Sequence, residues 1–267
     1  MPDNRKTLLL LCFFLFTGGL SARADTLVPL RTQAGTSDWN IKKSKHFIIH
    51  YREAPKEYIS KVKRCAEHYY RSITDYLGFR RFNFWTWDER CKIYLYPNRR
   101  EYLKETPSVS WSRGGVHIIR KEIATYVEKE EFLDYVLPHE LGHIVFREVV
   151  GFDKKLPLWI DEAVALLQEK DRQKYLAAAR ELVREGRHIP LEALSKIRSY
   201  KRVSPLTFYS QSASIVEFLL EEFGRGRFIT FCRRLRDGKD WKKALLGTYR
   251  FEDLSALEEA WVDSLID

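Results

Sequence analysis

The sequence predicts an α+β fold, with a small mixed sheet and its helices at the N-terminal side and an all-helical C-terminal part. Three observations carry that reading. Runs dense in β-branched and aromatic residues fall only before residue 120, at His46–Tyr51, Cys91–Tyr96 and Val116–Ile119. From Glu130 onward almost every segment repeats its apolar residues at helical spacing. No internal repeat or low-complexity stretch follows the N-terminal leader, and strands gathered before helices give segregated rather than alternating architecture. A boundary near residue 130 separates an N-terminal α/β subdomain, 25–130, from a helical subdomain, 131–267.

Residues 1–24 read as an export signal. Arg5 and Lys6 give a positive start, Leu8 to Phe16 is an unbroken apolar run, and Ala22-Arg23-Ala24 is a small-x-small cleavage site. Cleavage after Ala24 delivers a periplasmic or secreted chain with no stable membrane insertion. The apolar run is short for a bilayer span, which needs about 20 apolar residues. An uncleaved N-terminal anchor is the other reading of the same residues.

The elements follow in order. Residues 25–39 are polar and mixed and form a loose leader. His46–Tyr51 is the first strand. Ala54 to Leu77 carries Tyr58, Val62, Cys65, Ala66, Tyr69, Ile73 and Leu77 on one helical face, and Gly78 closes it. Cys91–Tyr96 alternates as a strand, and Pro97-Asn98 turns the chain into a short helix near Arg100–Glu105. Gly114-Gly115 leads into Val116–Ile119, after which strands are expected to cease.

The chain has 267 residues and a net charge of +9. Its basic residues are scattered, with small clusters at Lys42-Lys43-Lys45 and Arg233-Arg234-Arg236. Solvated element faces account for them, and an anionic partner is the alternative. No nucleic-acid motif accompanies the charge, so no nucleic-acid partner is expected. Cys65, Cys91 and Cys232 remain after export, none in a CxxC pair, which argues against a structural zinc knuckle. An oxidising compartment permits one disulfide, with Cys65–Cys91 the favoured of three pairings; three buried thiols is the other reading.

The chemistry concentrates in Leu137-Pro138-His139-Glu140-Leu141-Gly142-His143, inside an apolar helical segment from Phe132 to Val150. Positions i and i+4 of a helix lie nearly one above the other, so His139 and His143 can offer two imidazole nitrogens to one metal. Glu140 lies about 100° around the helix, where it reaches a water at the metal without becoming a ligand. Two satisfied core histidines would produce the same spacing. The next helical segment holds Leu158-Trp159-Ile160-Asp161-Glu162-Ala163-Val164-Ala165, after Gly151 and Pro157. If the two helices run back on each other, Glu162 returns to the histidines. Two histidines and a glutamate, with the fourth position left for water, form a catalytic zinc arrangement.

HExxH followed by W-x-x-E-x-x-A, here Trp159 to Ala165, resembles the gluzincin metallopeptidases, and most closely their bacterial peptidase-MA-like branch. Phe47–Tyr51 is similar to that branch's opening strand, Tyr209–Ser214 to its tyrosine-bearing helix, and Gly226–Trp261 to its C-terminal helices. The resemblance implies a zincin-like fold with the site on two helices at a cleft. It also implies one zinc ion (Zn2+) on His139, His143 and Glu162, with Glu140 as general base and Tyr209 as a hydroxyl donor. Ala163 stands where many relatives have glycine. Asp161 is an alternative ligand, as in the aspzincins, or a carboxylate behind the ligands. Metzincins are excluded, since Val149 occupies the place of their third histidine and Met1 is the one methionine. The aminopeptidase G-x-M-E-N stretch is also absent. A peptide or protein substrate is expected, for an endopeptidase or narrow-specificity protease rather than a general aminopeptidase; the strand Gly115–Ile119 is the candidate edge for its backbone, an ordinary turn before a buried strand being the other reading. A non-catalytic envelope binding or assembly protein on the same fold is the alternative function.

Overall fold

A computed structural model describes residues 39–79, 85, 89–106, 114–127, 131–199 and 203–266. The export signal, its cleavage site and nearly all of the polar leader lie outside the described residues. The elements run β1 (Asn40–Lys43), β2 (Phe47–Tyr51), α1 (Lys56–Tyr76), β3 (Cys91–Tyr96), α2 (Arg99–Glu105), β4 (Gly114–His117) and β5 (Glu122–Tyr126). There follow α3 (Leu137–Val150), α4 (Leu158–Leu166), α5 (Gln173–Arg184), α6 (Leu191–Leu194), α7 (Pro205–Arg236), α8 (Trp241–Tyr249) and α9 (Leu254–Ile266). Helix α7 breaks direction at Gly224. The order is that of a mixed α+β chain, sheet first and helices after.

One five-stranded sheet has the order β1-β2-β3-β5-β4. Strands β2, β3 and β5 are parallel, while β1 and β4 close the two edges antiparallel. Phe47, Ile49, Ile93, Leu95 and Ile123 point from one face into the main core, where Val62, Ala66 and Ile73 of α1 meet them. Tyr96, Ala124 and Tyr126 point from the other face and pack with Tyr102 of α2. The main core is continuous from the sheet through α1 and α3 to Trp261 of α9.

Three strands depart from the sequence expectation. Strand β5 was expected to be absent, yet it lies inside the sheet. It is buried along its whole length, so its residues show no alternation. Its one carboxylate, Glu122, is matched by Lys92 across the ladder at 3.5 Å. Strand β1 is exposed throughout and is held by backbone pairing, which leaves no apolar pattern to read. The expected strand Val116–Ile119 ends at His117, and a 3-10 turn at Ile118–Arg120 reverses the chain into β5. The favoured Cys65–Cys91 disulfide is not formed. Both are free thiols with Cys232; Cys91 and Cys232 are buried as the reading of three buried thiols expects, while Cys65 is half-buried. Among the described residues, no helix is long and apolar enough to cross a membrane.

Candidate metal centre

Helix α3 grows out of a wider π turn at Phe132–Val136, in which the Leu137 N–H donates to the Phe132 carbonyl. Such turns are rare and cluster at functional sites. Pro138 occupies the first turn of α3, where its missing N–H costs little. His139 and His143 follow one helical turn apart. Gly142 lies between them because α4 passes directly against it. A Cβ there would sit 2.9 Å from the Ala165 Cα, so any larger residue would push the helices apart. Gly151 ends α3 at φ 102°, which residues with a Cβ rarely adopt, and Pro157 opens α4. This tight return brings Glu162 back to the two histidines.

His139, His143 and Glu162 present ligand atoms that all lie within 4.8 Å of one another, and all three residues are buried. The two Nε2 atoms are 3.2 Å apart. Glu162 Oε2 is 3.9 Å from His139 Nε2, and Oε1 is 4.0 Å from His143 Nε2. Donors placed tetrahedrally at zinc distances are about 3.4 Å apart, so the spacing suits an ion with only a small closure of the carboxylate. Glu140 projects beside this group. It is 2% exposed, and its Oε2 has no hydrogen-bond partner. A buried carboxylate oxygen left unsatisfied is costly unless something polar is meant to meet it. Burial pushes the Glu140 carboxyl above the usual range, opposed by the two histidines. The donor set fits a divalent ion, which His139, His143 and Glu162 would hold, with Glu140 beside them.

Each histidine is fixed from behind by a different carboxylate. His139 Nδ1 lies 3.0 Å from Glu169 Oε1, while Glu169 Oε2 accepts from the Tyr175 hydroxyl at 2.9 Å. His143 Nδ1 lies 3.5 Å from Asp161 Oδ1. Asp161 is gripped by Arg147, whose Nε donates at 3.1 and 3.2 Å and whose Nη2 donates at 2.7 Å. Arg147 Nη1 also donates to the Lys154 carbonyl at 2.7 Å, which ties down the α3–α4 connection. With a carboxylate on the Nδ1 side of each ring, the two Nε2 atoms are turned toward one another at the shared point.

The electrostatics follow from the same contacts. Burial disfavours the charged form of His139, but Glu169, Glu140 and Glu162 outweigh it and push its pKa up to about 9. His143 is raised as well, burial being overcome by Asp161 and Glu162. Burial favours the neutral form of Asp161, yet the Arg147 guanidinium holds it well below the usual carboxylate range. A metal entering this cluster would have to displace the imidazole protons, so its affinity would rise with pH.

Of the residues singled out from sequence, His139, Glu140, His143 and Glu162 come together. Asp161, the alternative ligand, is turned to Arg147 and His143. Tyr209 sits near the start of α7, the helix packed along α4. It is half-buried, with its ring edge-on to Phe208 at 5.7 Å. Glu169 was not anticipated. It lies past the end of α4, and its only signal in the sequence is a carboxylate two helical turns beyond Glu162.

No curated protein matches the chain. The sequence model of the Peptidase MA superfamily matches residues 88–267, which covers β3, the sheet's later strands and every helix that carries the site. The match begins after Phe47–Tyr51, the segment likened to the family's opening strand. Such a match points to a metallopeptidase-like function. It spans well over half of the sequence and includes the histidine–glutamate cluster, so the chain belongs to the Peptidase MA superfamily.

Proposed function

We propose that this chain is an exported, zinc-dependent metallopeptidase of the gluzincin type that hydrolyses peptide bonds in polypeptide substrates. The observation that carries the reading is the buried Glu140 carboxylate, one oxygen unpartnered, standing beside three converging ligand atoms. His139, His143 and Glu162 would hold one zinc ion, which on binding would polarise a water and the scissile carbonyl.

Glu140 is the proton carrier. Its unpartnered oxygen is buried among the charges of His139, His143 and Glu162, and burial keeps its basicity above that of a solvated carboxylate. It accepts the water proton as the new C–O bond forms and delivers a proton to the amine as the C–N bond breaks. Glu169 and Asp161 keep the imidazoles turned inward while charge builds on the carbonyl oxygen. Tyr209 is assigned as the hydroxyl donor to that oxygen, on its family resemblance and its position on α7 beside α4. The outer edge of β4, the last strand of the sheet among the described residues, would offer backbone groups to an extended substrate, as in β-strand addition.

Glu140→Gln tests the proposal. The variant keeps the fold and the three ligands, so metal content should match the wild type while cleavage of a mixed peptide library falls by at least about a hundredfold. Undiminished cleavage in Glu140→Gln would remove the catalytic reading. A zinc-loaded wild type inert to the whole library would favour a binding role instead.

A further inference from the structure

The carboxylate behind His139 sits in a turn, and turns do not place a side chain accurately unless something distant holds them. Residues 169–171 are held by the π turn that precedes α3. The Lys170 N–H donates to the Asp134 carbonyl at 3.2 Å. Lys170 Nζ reaches Asp134 Oδ2 at 2.7 Å, and the Tyr135 hydroxyl donates to Asp171 Oδ2. The Asp134 carbonyl is open to Lys170 for a simple reason. In an α-helix it would take the N–H four residues on, and that residue is Pro138, which has none. The wider turn at Phe132–Val136 also makes room for the proline ring.

We infer that Pro138 is a positioning residue for the metal: by denying the Asp134 carbonyl its α-helical partner four residues on, it leaves that carbonyl turned to Lys170 and so sets Glu169 against His139. The inference rests on the metal reading above and extends it to a residue that touches neither ion nor substrate. The backbone bond joins the residue before Tyr135 to the residue after Glu169. The carboxylate of Glu169 is then carried to Nδ1 of His139, the residue next to the proline. Tyr175, on α5, supplies another hold on Glu169, at Oε2. Lys174 Nζ stands 4.0 Å from the same oxygen, and backbone bonds to Leu166 and Arg172 hold the residue locally, so the Lys170 bond is the one that ties the turn to the segment before α3. An N–H at position 138 would draw the π turn back toward α-helical register and turn the Asp134 carbonyl away from Lys170.

The test compares wild type, Pro138→Ala, Glu169→Ala and the double variant, by zinc affinity in competition with a chelator. Alanine is a good helix former and restores a helical hydrogen bond, so Pro138→Ala should melt no lower than wild type. Glu169→Ala should weaken zinc binding by about ten- to a hundredfold, the usual cost of losing the group behind a ligating histidine. Pro138→Ala should weaken it roughly three- to tenfold. The double variant should be no weaker than Glu169→Ala alone, because Pro138 acts through Glu169. A second readout needs no metal: the Lys170 amide of the metal-free protein should exchange its hydrogen faster in Pro138→Ala. Unchanged zinc affinity in Pro138→Ala, additive losses in the double variant, or equal protection of the Lys170 amide would each overturn the inference. A wild type that binds no zinc would instead strike at the metal reading, and the exchange measurement would still decide whether the proline frees the carbonyl.

Discussion

The two histidines of the centre are equivalent in sequence spacing and unlike in support. His143 is backed by Asp161, which is locked to Arg147 in a fully buried ion pair that also pins the α3–α4 connection. His139 is backed by Glu169, whose partners are a tyrosine hydroxyl and a turn tied to another turn. The first support belongs to the core and the second is an accessory fastened to it. Burial explains the difference. A buried carboxylate needs an opposite charge in good geometry. Glu169 instead has the imidazole and a hydroxyl within hydrogen-bond range, with Lys174 Nζ farther off at 4.0 Å. Damage on the Asp161 side should therefore appear as lost stability, and damage on the Glu169 side as a changed metal site.

The largest effect expected from breaking this contrast is in Arg147→Ala. It leaves Asp161 charged in the interior with only His143 beside it and should cost about 3–5 kcal/mol. The denaturation midpoint measures it, and a loss below about 1 kcal/mol would show that Asp161 is not the structural anchor described here. A smaller effect sharpens the other side. In the metal-free protein the pKa of His139 rises from its ordinary 6.5 to about 9, burial being outweighed by Glu169 and the neighbouring carboxylates. The folded state therefore holds that proton more tightly than the unfolded chain. The stabilisation is complete below about pH 6.5 and is lost as pH rises through about 9. The melting temperature of metal-free protein should decline across that window, and Glu169→Gln should flatten the decline. Asp161 has the opposite sign, since its depressed pKa gives stability that fades only under acid conditions.

The same contrast separates what the sequence discloses from what it hides. His139, Glu140 and His143 were legible because helical periodicity alone places them together. Glu162 was legible through its tryptophan-led pattern, and the close crossing at Gly142 and Ala165 supplies the geometry that the pattern implies. Glu169 was not legible, because its reach depends on a bond between two turns 36 residues apart. Strand β5 was missed for a related reason. Covered on both faces and opened by Glu122, it shows neither alternation nor a long apolar run. Strand β1 was missed because its hold is backbone pairing with β2, which any sequence can make. Periodic elements announce themselves, and elements placed by long-range contacts do not.

The central claim is that His139, His143 and Glu162 share one zinc ion, and X-ray absorption at the zinc edge tests it most directly. The wild type should carry one zinc per chain, with two imidazole nitrogens and a carboxylate oxygen at about 2.0–2.2 Å, and His143→Ala should lose it. A purified wild type without zinc, or a spectrum dominated by sulfur from the cysteines, would contradict the account.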